Sequence, residues 1–199
     1  SPLNPYNSPE TPSFVYGTFP IFLTKLVATA AGSDVPILAQ TGQLFCGRDG
    51  YDTTVVCGRR LAAVADSLTI LVVAALGAVL FGRRTGLLAS LLYALAVLPA
   101  QLSHFWTVDP FVVLLGATTA LLSALWIAEP RRQDASTLRG FREPALVVSI
   151  GLAVGLGLAS KVTAWPIVLL PMLAAAARIG LRDVPALGLR FRGRRPRPG

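Results

Sequence analysis

Charged side chains are scarce in this chain, and their scarcity excludes an ordinary soluble domain. Only 14% of the 199 residues are charged, whereas 53% are apolar and the mean hydropathy is +0.62. A soluble globular domain normally carries charge on about a quarter of its residues. The composition therefore predicts a protein whose main solvent is a lipid bilayer.

Acidic residues are fewer than basic ones, 10 against 18, and the basic ones are unevenly placed. Thirteen of them lie just beyond alternate ends of apolar stretches, which under the positive-inside rule makes those ends cytoplasmic. The first 58 or so residues and the turns near Ser103 and Lys161 are then outward. The placement favours attraction to anionic lipid over nucleic acid, and we expect no nucleic-acid partner. The three clusters are Arg83 and Arg84; Arg131, Arg132, Arg139 and Arg142; and Arg178, Arg182, Arg190, Arg192, Arg194, Arg195 and Arg197.

The apolar stretches predict an all-α, polytopic membrane bundle of about five transmembrane helices. The first is about 22 residues, or about 33 Å, which suffices to cross the hydrocarbon. The last two are nearly contiguous and must be separated by a turn, most plausibly at Lys161 with Pro166 just beyond it. The predicted spans are residues 60–81, 85–102, 110–128, 144–160 and 162–178.

The residues before the first span predict an extracytoplasmic loop. Four prolines among the first 13 residues forbid a helix there, and residues 14–31 predict a juxtamembrane helix at the outer interface, with a sixth span as the alternative. Residues 32–58 predict an irregular loop ending in a short helical lead-in. The resulting division is 1–58 outside, 59–178 as the bundle and 179–199 as a basic cytoplasmic tail. The opening residues SPLNP lack a starting Met, a basic segment and an apolar core, which are the parts of a signal peptide. The chain is therefore expected to begin inside a longer protein.

Metal-ligating and small side chains give three further expectations. One His and two Cys match no zinc pattern, so no metal site is predicted from the residues. Cys46 and Cys57 lie on the outward side, where they form either a disulfide or two unpaired thiols. In the fourth span a face of small residues predicts close helix contact inside the bundle, and its Gly151 and Gly155 form a glycine pair four residues apart. The other members of this face are Ala153, Gly157 and Ala159.

Charged groups in or beside spans are costly, which makes Asp66, Asp109 and Lys161 candidates for function. Asp66 is expected to form a helix–helix hydrogen bond or to pair with Arg59 or Arg60. Asp109 precedes a proline at a span start, so it either caps the helix or offers a fixed carboxylate. Lys161 needs a counter-ion, either a lipid phosphate or Asp109.

Aromatic and imidazole groups surround these charges. His104 is expected either to donate to a phosphate or to lie at the interface. Trp106 and Tyr93 are expected to anchor at the head groups or to stack on a sugar.

Three segments resemble a known family. The stretch from Leu87 to Leu122, with QLSHFWTVDP at residues 101–110, resembles the third and fourth spans of lipid-carrier-dependent glycosyltransferases of the GT-C superfamily, in the protein O-mannosyltransferase and aminoarabinose transferase branch. GLGLASK at residues 155–161 is similar to that family's small-residue segment ending in Thr/Ser-Lys. FGRRTGLLA at residues 81–89 resembles its cytoplasmic turn between the second and third spans.

The resemblance implies a function and roles for four residues. It implies transfer of a sugar from a polyprenyl-phosphate donor to a protein or glycolipid acceptor at the outer face of the cell membrane. Asp109 matches the family's acidic residue at the fourth span and would be catalytic. Lys161, with His104 and Tyr16, would hold the donor phosphate; no metal ligand is assigned, although a divalent metal fits the family chemistry.

The chain also departs from the family. The principal catalytic acid and the span before it are absent, and the Glu-Lys charges of the juxtamembrane motif are missing around Tyr16. The resemblance therefore implies an N-terminally truncated chain that also lacks later spans. The rival hypothesis is a transporter or a non-catalytic membrane subunit in which Asp66, Asp109 and Lys161 line a path or an assembly interface.

Overall fold

The computed structural model describes residues 17–31, 36–46, 51–129 and 142–180, and these form helices with no β-strand among them. The all-α prediction is confirmed. The α-helices are α1 Phe19–Ala31, α2 Pro36–Cys46, α3 Tyr51–Phe81, α4 Arg83–Ala94, α5 Val97–Ser103, α6 Asp109–Ala128, α7 Arg142–Ser160 and α8 Leu169–Gly180, with a 3₁₀ helix Val162–Val168 before α8.

Within these residues, four helical segments are long and apolar enough to cross a membrane, and the number rises to five if the bent pair α4–α5 is one span. The bend between α4 and α5 is 59°. Pro99 explains it, because a proline has no N–H to offer the carbonyl of Leu95 and its ring crowds that carbonyl. Pro166 has the same effect on the last span, whose first seven residues are 3₁₀ rather than α-helical.

The prediction for the residues before the first span was wrong in part. Residues 32–58, expected to be an irregular loop ending in a short helical lead-in, contain α2. The lead-in is confirmed, because α3 begins at Tyr51 and continues without a break into the first span. Pro36 starts α2 at a position where its missing N–H costs nothing. With 31 residues α3 is about 46 Å long, so its first turns extend beyond a bilayer core of about 30 Å.

Small residues form the interior of the bundle, and large apolar ones face outward. Ala62 and Ala65 of α3 pack with Phe111 near the start of α6. Buried Thr69 and Thr119 donate their hydroxyls to carbonyls one turn back, each at 2.8 Å, so that both hydroxyls have a partner within their own helix. This arrangement is typical of membrane helices, where small side chains allow the backbones to approach.

Two helix backbones approach each other closely between α3 and α4. A methyl group on Gly86 would lie 2.3 Å from the carbonyl oxygen of Ala74, so only glycine fits. Gly82 makes the turn between the two helices. Its φ of 103° is a backbone conformation that residues other than glycine rarely adopt.

The expected packing role of the Gly151 and Gly155 pair was also wrong. Both residues are exposed, and a methyl group on either would meet nothing within 4 Å. Ala153 and Gly157, two other members of the predicted small face, are buried and form the inner face of α7 together with Ser160, so this part of the prediction is confirmed. The 151/155 pair lies on a different face of the helix.

Ion pairs between the described residues lie at two ends of the bundle. At one, called the Arg178 end, the buried guanidinium of Arg178 donates to Glu143 Oε1 at 2.8 Å and to the carbonyls of Glu129 and Trp126, and it lies 5.2 Å from the Trp126 ring centroid. It thereby joins the ends of α6, α7 and α8. The opposite end, called the Lys161 end, carries the starts of α3 and α6 and the break after α7.

Replacing Arg178 with Gln should destabilise the bundle by about 1–3 kcal/mol, because the buried Arg178 side chain loses its bonds to two carbonyls and to the Glu143 carboxylate, which is 45% exposed. Arg142→Gln is the matched control: its side chain is 68% exposed and 3.7 Å from Glu129, so its loss should cost less than about 1 kcal/mol. Thermal unfolding in detergent micelles measures both. Equal losses would show that the Arg178 contacts add nothing beyond a surface pair.

Candidate functional site

An ion pair between Asp109 and Lys161 lies at the Lys161 end. The Lys161 ammonium is 2.7 Å from Asp109 Oδ1 and donates a hydrogen bond to it. The side chain of Asp109 is 34% exposed and that of Lys161 is 28% exposed. The two residues are 52 positions apart in sequence, and the pair connects the start of α6 to the break that follows α7. Of the two counter-ions expected for Lys161, the structure therefore supplies the acidic one.

Asp109 is held by the first turn of α6. Val108 occupies the cap position, and no side chain caps this helix. Capping is therefore not the role of Asp109, and its carboxylate points to Lys161 instead. Pro110 follows it within the first turn, and the partial positive charge of a helix N-terminus favours an anion at this position.

Lys161 is held by backbone contacts on both sides. Its own N–H donates to the carbonyl of Gly157 at 3.1 Å, and its carbonyl accepts from Ala164 at 2.9 Å. Its backbone is extended, with φ −157° and ψ 121°, between α7 and the 3₁₀ helix. The α7 helix thus ends at Ser160, and the backbone from which the Lys161 side chain extends is held in place.

The segment before α1 lies directly against this break. The Gly17 N–H donates to the carbonyl of Ser160 at 2.9 Å, and a methyl group on Gly17 would lie 1.9 Å from the carbonyl oxygen of Ala159. From there α1 runs along the bundle, where Phe19 and Leu23 pack against the cluster that contains Phe111. One short helix therefore supports both α6 beside Asp109 and the chain just before Lys161.

The loop between α5 and α6 carries the aromatic groups of this end. Trp106 lies against α3 at buried Gly58, where any side chain would overlap the indole ring. Cys57, the residue before Gly58, forms a disulfide with Cys46 and so ties α2 to α3 beside this contact. Of the two expectations for the cysteines, the disulfide is confirmed. Phe105 is more than half exposed next to Trp106.

The other predicted site residues have different outcomes. His104 is exposed, and its Nδ1 lies 2.6 Å from the carbonyl oxygen of Ala100 one turn back, so one ring nitrogen is engaged locally. Tyr16 lies outside the described residues. Asp66 accepts a hydrogen bond from the Tyr93 hydroxyl at 2.8 Å, which confirms a helix–helix hydrogen bond and gives Tyr93 a role other than anchoring or stacking.

The charged and imidazole groups in the described part of the chain do not gather as metal ligands do. No three His, Cys, Asp or Glu side chains come together there in a way that could hold a metal ion. The donor set at this end is one carboxylate and one ammonium, which suits an anionic group better than a cation.

Sequence reasoning missed Gly17 and Gly58 as determinants of the site. Each is a glycine because a backbone or a ring occupies the place of its side chain, and such a contact leaves no local signal in the sequence. The chain has 18 glycines, and nothing in their spacing distinguishes these two.

Comparisons of the chain with models of known families, with curated proteins and with solved structures found no match.

Gly17→Ala should destabilise the protein by about 1–3 kcal/mol, because the added methyl group must push the segment off the end of α7. Gly155→Ala is the control: its methyl group meets nothing, and it should be neutral or stabilising by up to about 1 kcal/mol, since alanine favours a helix. Thermal unfolding gives the stabilities. Hydrogen exchange should be faster in residues 17–23 of the first variant alone, and a Gly17→Ala protein as protected as the parent would contradict the contact.

Proposed function

We propose that this chain is part of a membrane glycosyltransferase of the GT-C type, which moves a sugar from a polyprenyl-phosphate donor to a protein or glycolipid acceptor at the outer face of the cell membrane. The observation that carries the proposal is the partly exposed Asp109–Lys161 pair at one end of a helical bundle. These are the two residues that the family resemblance assigns to catalysis and to the donor phosphate, and they lie in contact.

The reaction needs one protein group beside the bond that forms and another beside the bond that breaks. An acceptor hydroxyl oxygen attacks the anomeric carbon as the bond from that carbon to the phosphate oxygen breaks. The hydroxyl proton goes to a carboxylate, and polyprenyl phosphate leaves with the bonding electrons. Asp109 would orient the acceptor or take up its proton. Lys161 would stabilise the phosphate that departs, assisted by His104 and Tyr16.

The orientation follows from two independent features. The positive-inside rule favours a cytoplasmic Arg178 end, because Arg83, Arg84 and Arg178 all lie there. A disulfide favours an oxidising compartment for the other end, where Cys46 is joined to Cys57. Both features support a multi-pass protein of the cell membrane with the Lys161 end outside and residues 179–199 in the cytoplasm.

A membrane-impermeant maleimide should test this orientation in intact cells. A cysteine at exposed Lys25 in α1 should react, whereas a cysteine at exposed Arg84 should react only after permeabilisation. The native disulfide contributes no background while it is oxidised. Labelling of position 84 alone would reverse the proposed topology and remove the site from the outer face.

Transfer activity should depend on both members of the pair. In the full-length protein, Asp109→Asn should lower the rate of sugar transfer from a polyprenyl-phosphate donor by about 100-fold, as expected when a carboxylate that positions the acceptor is lost. Lys161→Ala should lower kcat/KM by at least about tenfold through the lost charged hydrogen bond. Lys25→Ala, an exposed charge on α1, is the control and should retain activity.

Unchanged turnover in both variants would overturn the assignment. A chain that moves a solute across liposomes without transferring sugar would favour the rival function, a transporter, for the same charged residues.

A further inference from the structure

The two groups of the site neutralise each other when no ligand is bound. One of the three N–H donors of the Lys161 ammonium is directed at Asp109 Oδ1, 2.7 Å away, and the negative charge of that carboxylate repels an approaching phosphate. The ammonium, in turn, occupies one oxygen of the Asp109 carboxylate. A phosphate that binds Lys161 therefore competes with Asp109 for the same ammonium.

The pair is built so that one partner can move. Asp109 has a short side chain on the first turn of α6, where Phe111 anchors the helix in the core. Lys161 has a flexible four-carbon stem on a backbone that is fixed by its contacts with Gly157 and Ala164. Its ammonium can thus swing to a new partner without any movement of the helices.

Opening the pair also costs little. Both side chains are about one-third exposed, and ion pairs at that exposure contribute weakly because water competes for each charge. A phosphate held in the same membrane as the protein is present at high local concentration, so it can replace the carboxylate. The Arg178 end provides a contrast, because its guanidinium is buried and bonded to the end of α6 and to Glu143 at the start of α7.

We propose that the Asp109–Lys161 pair is a latch: a lipid-linked phosphate takes the Lys161 ammonium and thereby releases the Asp109 carboxylate for the acceptor. The inference rests on the proposed function and adds an order to it, with the donor binding before the acceptor. In the absence of donor, Oδ1 of the carboxylate stays engaged with the ammonium and is less available to a hydroxyl. No bond is made or broken in this step, and only the partner of the ammonium changes.

The latch makes an unusual prediction for lipid binding. Asp109→Asn removes the group that competes for Lys161, so it should bind polyprenyl monophosphate about two- to fivefold more tightly than the parent does. Asp109→Ser should do the same and guards against an effect specific to the amide. Lys161→Ala should bind at least about tenfold more weakly. In the double variant the gain should vanish, because it acts only through Lys161.

The measurement is the dissociation constant of polyprenyl monophosphate for the full chain in phosphatidylcholine nanodiscs, followed by tryptophan fluorescence. Lys25→Ala is the control for loss of a surface charge, and thermal unfolding confirms that each variant is folded. Inorganic phosphate is the second probe. It should follow the same order of variants at far weaker affinity, since only the phosphate is shared.

Different results overturn different statements. Weaker lipid binding by both Asp109 variants would show that the carboxylate belongs to the phosphate site, and the latch would be wrong while the role of Lys161 stood. Undiminished binding by Lys161→Ala would overturn the proposed phosphate role itself, and the latch with it. A gain that persists in the double variant would also overturn the latch.

Discussion

Close approach of helix backbones is the constraint on which this bundle depends. Lipid chains are as apolar as leucine, so helices gain little by burying large side chains against each other and associate through contacts between small ones. Ala62 and Ala65 leave room for Phe111 of α6, and Gly86 lies against the backbone of α3. The same rule places the site: Gly17 reaches the end of α7 only because it has no side chain.

The two ends of the bundle use ion pairs for different purposes. At the Arg178 end one guanidinium is buried among helix-terminal carbonyls and a carboxylate, an arrangement that ties three helices and leaves little for a ligand. At the Lys161 end the ammonium of Lys161 and the carboxylate of Asp109 form a pair that is about one-third exposed on each side. Rigidity at one end and an exchangeable contact at the other are what a site for a membrane-bound anion requires.

Much of the fold and of the site could be predicted from the sequence, and the predictions that were wrong have physical causes. Apolar length predicted the spans, and the cost of an unpaired charge predicted that Lys161 would find Asp109 or a lipid phosphate. Composition could not tell which face of α7 turns inward, because small residues lie on both, so the 151/155 pair was misassigned. The polar residues 32–58 concealed α2, whose stability depends on packing with α1 and α3 and on a disulfide. Gly17 and Gly58 act through distant neighbours that only the fold reveals.

The central claim is that a lipid-linked phosphate is bound at Lys161, and photocrosslinking tests it most directly. A polyprenyl phosphate that carries a diazirine on the isoprene unit next to the phosphate would be irradiated with the protein in native membranes, and the adducts would be mapped by mass spectrometry. The account predicts adducts in residues 103–109 and 160–165, and their loss in Lys161→Ala. Adducts concentrated around Arg178, or spread evenly along the lipid-facing helices, would contradict it.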